Sequence, residues 1–458
     1  MPFLNFPNEV IEEVLSYLSR SSLLSTFLVS KRLSTLSEAF LYASVELKWD
    51  PGHNTRIASL LVTVLKKPHL ARKIRVVKCI GHELRFRGDD PGEPRDIIID
   101  QQHVRTFIAH VRLYGLIIEP IWVHQLERRT MDSLLTLFLA QLHNLRELEL
   151  DLNFGPYCPS LLVEMFRAAI FFPTQSRLPL PSFEHLRRVT FSLEAHPPES
   201  ATYSAPDILP LLFAPRIQEL QVPMHTCPAI GWHNPFPSAA SSLTSLTLGY
   251  TVDCHDLGYI LSITNRLKYL KWTWSPTHIR MGGWGADLDE LCVSLSHVRE
   301  TLTEFRIVTV ESQLGIVNFG SAFNFTGSLR SLSRFHFHAL QLPLPMLLNE
   351  RNHGVPSIKG ILPAQLETLE VVEDTLLQGA HVVIDEDVLA AFLYFLEFAE
   401  DAKLPLRHLR VRELGNYTPR DSGIWQEIDK AAENSRVGFE YNYDPDRVGS
   451  SIPLDMYW

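Results

Sequence analysis

Apolar positions along this 458-residue chain follow two rhythms. Near the start they recur every three or four places: Val10, Ile11, Val14, Leu15 and Leu18, then Leu23, Leu24, Phe27 and Leu28, then Leu33, Leu36, Phe40 and Leu41. Residues three and four apart share a helix face, so this spacing predicts three short amphipathic helices. Pro7 suits the first turn, where its missing N–H costs nothing. Glu9, Glu12 and Glu13 suit the positive end of the first helix dipole, and Ser21 or Ser22 is expected to cap the second helix. Three helices of this size bury too little surface to be secure alone, so their apolar stripes need a partner in this chain or another.

The second rhythm is an apolar frame that alternates with polar residues. Leu145-x-x-Leu148-x-Leu150 is followed by Leu186-x-x-Val189-x-Phe191, Ile217-x-x-Leu220-x-Val222, Leu243-x-x-Leu246-x-Leu248 and Leu267-x-x-Leu270-x-Trp272. It continues as Leu302-x-x-Phe305-x-Ile307, Leu332-x-x-Phe335-x-Phe337, Leu366-x-x-Leu369-x-Val371 and Leu406-x-x-Leu409-x-Val411, and Ile74-Arg-Val76-Val77 is an earlier candidate. A single frame carries little weight, because half-apolar chains produce such matches by chance. The set carries more: its members are spaced by roughly 24 to 41 residues and their intervening positions are mostly polar, as a half-buried strand requires. Helical stretches are expected between them at Met131 to Leu142, Ser160 to Phe171, Leu288 to Val298 and Asp385 to Ala402. Stacked strand–helix units of this kind bury their faces only against neighbours. Asn153 alone matches the asparagine of the tight repeat, so the stack is expected to be irregular. After it, 422–435 reads as a helix and Val437, Phe439, Tyr441 and Tyr443 alternate as a closing strand.

Composition narrows the possibilities. The net charge of -10 and the pI near 6.0 argue against non-specific binding to nucleic acid or to anionic membrane, both of which need a basic face. No secretory signal and no long uncharged apolar run is evident, which points to a cytoplasmic or nuclear protein. The sequons at Asn324 and Asn416 are then chance matches. Cys79, Cys158, Cys227, Cys254 and Cys292 form no CxxC pair and read as reduced, buried residues. Residues 85–96, 195–205 and 226–240 read as loops. No catalytic motif stands out: 282–285 is a glycine turn without the GK[ST] ending of a phosphate loop, and His336 and His338 lack a third metal ligand. No cofactor and no enzymatic activity is expected.

The ordered string Pro7-x-Glu9-Val10, Val14-Leu15-x-Tyr17-Leu18, Leu23, Val29-Ser30-Lys31-Arg32 and Leu41-Tyr42 resembles the F-box, with Phe6 in place of the usual leucine and Leu33 where tryptophan is frequent. With the frames behind it, the chain is similar to F-box proteins with divergent leucine-rich repeats, a type abundant in basidiomycete fungi. The resemblance implies an α/β fold: a small N-terminal three-helix F-box, then an irregular leucine-rich-repeat solenoid with a curved parallel sheet. The expected domains are 1–45 F-box, 46–130 linker and first irregular repeats, 131–415 solenoid, and 416–458 C-terminal cap and tail. It further implies a substrate-recognition adaptor of a Skp–cullin–F-box ubiquitin ligase. Pro7, Val10, Val14, Leu15, Leu18, Leu23 and Val29 would contact the Skp-type adaptor or shape its face, and the adaptor would dock on a cullin. A protein target would meet polar strand residues, with Tyr269, Lys271, Arg306, Arg334, His336, His408 and Arg410 as candidates; such mixed-charge ladders suit a folded or phosphorylated partner. The residues alone leave two other readings open, a repeat scaffold that engages no ligase and an enzyme with an unfamiliar site.

Overall fold

The computed structural model describes residues 6–48, 56–81, 97–151, 161–192, 209–223, 241–251, 254–274, 286–309, 325–349, 351–352, 355–356, 358, 360–374, 385–414 and 422–444. The loops expected at 85–96, 195–205 and 226–240, the glycine cluster at 282–285, both sequon asparagines, Asn153, Cys158, Cys227 and the tail from 445 lie outside these residues. The chain forms two compact units, 1–220 with 235–242, and 221–234 with 243–458.

The first unit opens with helices α1 (Asn8–Ser16), α2 (Arg20–Phe27) and α3 (Lys31–Ala43). Ser19, not Ser21 or Ser22, caps α2, accepting from the Ser22 amide at 3.2 Å. Ser30 caps α3 in the same way through the Leu33 amide. The Arg32 guanidinium clamps α3 to the start of α1, donating to Asn8 Oδ1 at 2.6 and 3.0 Å and to the Phe6 carbonyl at 2.8 Å. Strand β1 (Ser44–Lys48) follows α3 without a linker, Ser44 serving as helix cap and first strand residue. Its Val45 and Leu47 are buried and pair in register with Val77 and Cys79 of β2 (Val76–Ile80). The stack therefore begins directly behind the helices, one strand earlier than Ile74 suggests. Between β1 and β2 lie α4 (Arg56–Lys66) and α5 (Pro68–Ala71), and the Lys73 ammonium ion-pairs with Glu38 of α3.

Beyond β2 come α6 (Gln101–Tyr114), α7 (Glu119–Glu127), α8 (Met131–Leu139), β3 (Glu147–Leu150), α9 (Leu161–Phe171), β4 (Arg188–Phe191), α10 (Leu209–Leu212) and β5 (Glu219–Pro223), in which the division between units falls. Tyr114 stacks on Trp122 at 6.1 Å, and the Trp122 indole donates to the Ser133 carbonyl, which fastens α6, α7 and α8 together.

The second unit holds β6 (Ser245–Thr251), α11 (Cys254–Ile263), β7 (Tyr269–Trp274), α12 (Leu288–Leu295), β8 (Glu304–Thr309), β9 (Ala339–Pro343), α13 (Leu344–Leu347), β10 (Arg351–Asn352), β11 (Val355–Pro356), β12 (Thr368–Asp374), α14 (Asp385–Asp401), β13 (His408–Leu414), α15 (Ser422–Asn434) and β14 (Gly438–Asp444). Strands β6, β7, β8, β9, β12, β13 and β14 lie side by side in that order, parallel throughout, while β10 and β11 form a small antiparallel pair. Trp425 of α15 stacks on Tyr441 of β14 at 5.1 Å, covering the last strand.

One backbone device sets the register in both units. The carbonyl just before a strand accepts consecutive amides at the entry of the next. Arg75 O takes Arg146 N and Glu147 N, and Arg146 O takes Arg187 N and Arg188 N. Lys268 O takes Thr303 N and Glu304 N, and Thr303 O takes His338 N and Ala339 N. This ladder corrects one expected frame. Residues 330–334 form a 3₁₀ turn, and the strand starts at Ala339 in the frame Phe337-x-x-Leu340-x-Leu342. Leu332 and Phe335 are buried all the same, on the approach to the strand, which is why they mimic it in sequence. Every other frame from Leu145 to Val411 enters the core as expected.

Candidate functional site

Two surfaces stand apart from the cores. The first is the outside of α1 and α2. Ile11, Leu15, Leu23 and Leu33 form the interior of the three helices, with Leu18, Leu36, Phe40 and Leu41 half-buried against it. Val10, Val14 and Tyr17 project outward at i, i+4 and i+7 of α1, Val14 41% and Tyr17 79% exposed. Leu24, Leu28 and Val29 are exposed too, the last two at 82% and 68%. Of the adaptor candidates, then, Pro7, Val10, Val14 and Val29 lie at the surface and Leu18 is half-buried. Leu15 and Leu23 are interior; they shape the face from beneath and do not themselves offer contact surface. Leu24 and Leu28 went unselected because neighbouring leucines at 23 and 24 leave the buried side of α2 ambiguous in sequence. Covering a Val or Leu side chain is worth about 1.5–3 kcal/mol, against about 1 kcal/mol or less for an exposed ion pair. This apolar set, and not the surrounding charge, would dominate association.

The second surface is the strand face of the second unit. The register lines its polar positions into rows. One runs Tyr269, Glu304, Ala339, Thr368 and His408, and the next Lys271, Arg306, Gln341, Glu370, Arg410 and Glu440. A cavity of about 100 Å³ opens here, lined by Lys271, Arg306, Val308, Gln341, Glu370, Val372 and Arg412. Arg412 Nη2 lies 3.4 Å from Glu370 Oε1, whose side chain is only 12% exposed. The Arg306 guanidinium sits 5.6 Å from the Tyr269 ring centroid and 3.5 Å from Glu304, which fixes its direction. Burial pushes the Tyr269 phenol above its ordinary pKa, and Arg306 partly offsets that. Arg410 is tied to Glu440 at 2.8 Å.

The structure thus brings Lys271 and Arg306 to the cavity, places Tyr269 behind Arg306, and leaves His408 and Arg410 exposed on the same strand face. Arg334 and His336 are exposed but precede β9, because their frame was displaced; His338 Nδ1 lies 3.8 Å from Glu367. The same displacement hid Gln341, and Val308 and Val372 were not among the candidates. Among the described residues no group of His, Cys, Asp or Glu is arranged to hold a metal ion, and no helix is long and apolar enough to cross a membrane. Cys79, Cys254 and Cys292 are buried thiols in no disulfide; burial pushes Cys292 up to about 12.

Residues 3–40 match the F-box domain. The matched segment contains α1, α2 and most of α3, and with them the exposed Val10, Val14, Tyr17, Leu28 and Val29. F-box domains bind Skp-type adaptors in Skp–cullin–F-box complexes. No curated protein matches the chain.

Proposed function

We propose that this chain is a substrate-recognition adaptor of a Skp–cullin–F-box ubiquitin ligase. The F-box holds a Skp-type adaptor, and through it a cullin. The strand–helix stack, an irregular leucine-rich-repeat solenoid, holds a protein target in the cytoplasm or nucleus. Ubiquitin transfer belongs to the recruited conjugating enzyme, so the chain contributes position and not catalysis. The observation that carries this reading is the outward apolar set of α1 and α2 inside the F-box match. A three-helix unit that leaves Val14, Tyr17, Leu28 and Val29 in water has a binding surface and not a finished exterior.

Coexpression with a Skp-type adaptor tests it. The wild type is expected to co-purify, and Val14→Asp with Leu28→Asp to abolish co-purification while the thermal midpoint stays put, because both side chains lie outside the core. Failure of the wild type to co-purify, or retention by the double variant, sinks the ligase reading and leaves a protein-interaction scaffold.

A further inference from the structure

We propose that the rim of the first unit where its strands begin binds an acidic segment of a partner protein through Arg72, Arg75, Arg146, Arg187 and Arg216. The backbone ladder brings these arginines together. Arg75, Arg146 and Arg187 each stand one place before their strand, and each passes its carbonyl to the next entry, so they follow one another across β2, β3 and β4. Neighbouring strands lie about 4.8 Å apart, which sets the three backbone positions along a row of about 10 Å. Arg72 opens the turn into β2, where its carbonyl accepts from Asn144 Nδ2 of the next turn at 2.6 Å. Arg216 stands in the turn into β5. All five side chains are exposed.

Charge gives the first argument. The four turns 72–75, 143–146, 184–187 and 215–218 hold six cations, the five arginines and Lys73, against one carboxylate, Glu184, in a chain whose net charge is -10. The carboxylates nearby are engaged by other groups. Glu38 of α3 ion-pairs with Lys73, Glu149 meets Lys78 at 2.7 Å, and Glu219 meets Arg188 at 2.6 Å. Glu147 lies 3.9 Å from the same Arg188, and Glu184 lies 3.4 Å from His185. None of the five guanidinium groups has an ion pair or a hydrogen bond with a described residue. Burial, helped by Arg72, holds the His143 imidazole below its ordinary pKa, so it adds no charge at neutral pH. Like charges gathered without counter-charges repel one another, and an anionic partner relieves that repulsion.

The chemistry of the turns selects the partner. The unmatched cations are all arginines, and a guanidinium offers a planar fork that pairs with a carboxylate through two hydrogen bonds, which the point charge of a lysine does not. A nucleic acid would present a long run of phosphates, and Glu147, Glu184 and Glu219, which border the row, would repel it. The four turns contain no Phe, Tyr or Trp on which a base could stack. A membrane surface calls for apolar side chains to insert, and the aliphatic residues of the turns, Ile74, Leu145, Leu186 and Ile217, are fully buried. A short stretch rich in Asp or Glu meets none of these obstacles. In an extended segment, carboxylates on one face repeat about every 7 Å, so two or three of them span the row.

The proposal goes beyond the adaptor reading and does not depend on it. The test uses the full chain and two labelled peptides of equal length, one with a central run of glutamates and one with glutamines in their place. The glutamate peptide is expected to bind about tenfold tighter at low salt, with the advantage shrinking as salt rises. Arg146→Gln with Arg187→Gln is expected to remove that advantage. Arg105→Gln, which changes an exposed arginine of α6, is expected to leave it intact. The thermal midpoint should stay that of the wild type in both variants, because these side chains are exposed and hold no other element in place. Equal binding of the two peptides overturns the proposal, and so does an advantage that survives the double variant. A loss with Arg105→Gln as large as with the double variant would mean diffuse attraction and overturn it too. A single-stranded oligonucleotide, or vesicles containing phosphatidylserine, bound more tightly than the glutamate peptide would mark another class of partner and overturn it as well.

Discussion

The F-box helices leave Val14, Tyr17, Leu28 and Val29 in solvent around an interior of four fully buried apolar residues, Ile11, Leu15, Leu23 and Leu33. The strand stacks do the opposite. Leu148, Val189, Leu270, Phe305, Leu369 and Leu409 are all but inaccessible, and what faces outward beside them is charged or polar. Both regions are built from amphipathic elements. They differ in where the covering surface comes from. Each strand is covered by the next copy of itself and by a helix of its own unit, whereas α1 and α2 have too few neighbours to cover both sides. Unfinished burial is what sets the outer faces of α1 and α2 apart from the strand stacks.

The contrast can be tested at several strengths. Phe305→Ala, in a fully buried position stacked 6.0 Å from Phe337, is expected to cost about 3–5 kcal/mol, read as a lowered denaturant midpoint. A cost under about 1 kcal/mol would mean that the stack is not packed as described. Arg188→Gln, which breaks an exposed pair with Glu219, should cost only about 0.2–1 kcal/mol, and less in high salt. A larger loss would show that the outer rows carry stability after all. Acid supplies the mildest probe. Burial lowers the pKa of His110 below 6.5, and burial together with the Arg72 charge does the same for His143. A depressed imidazole pKa means that the unfolded chain takes up protons first. The stability from these two residues is therefore full above about pH 6.5 and falls as pH drops through that value toward the folded one. The urea midpoint should be lower at pH 5.5 than at 7.5, and His110→Gln should flatten the slope. A midpoint that rises on acidification contradicts this.

Much of the fold was legible because strand frames combine period-two alternation with nearly complete burial, so Leu267-x-x-Leu270-x-Trp272 and its relatives announce themselves. The misplacement at β9 has a physical cause. Leu332, Phe335 and Phe337 are as buried as a strand's inward residues, and apolar spacing cannot tell a 3₁₀ approach from the strand it leads into. The backbone ladder through His338 decides it, and backbone hydrogen bonds are invisible in sequence. β1 was missed because Val45 and Leu47 are only two apolar positions running straight on from a helix. The F-box was legible as an ordered string, but its inside and outside were not: Leu15 and Leu23 look as available as Val14 until the helices are packed. The cavity depends on which residues of five separated strands share a register, and only Lys271 and Arg306 of its lining were picked out as target-binding candidates beforehand.

The junction between α3 and β1 has a mechanical meaning. A helix that becomes a strand at Ser44, braced by Lys73 on Glu38 and by pairing to β2, has no swivel. The three helices and the first strands behind them are therefore joined as by a splint, without the spread that a flexible tether would allow.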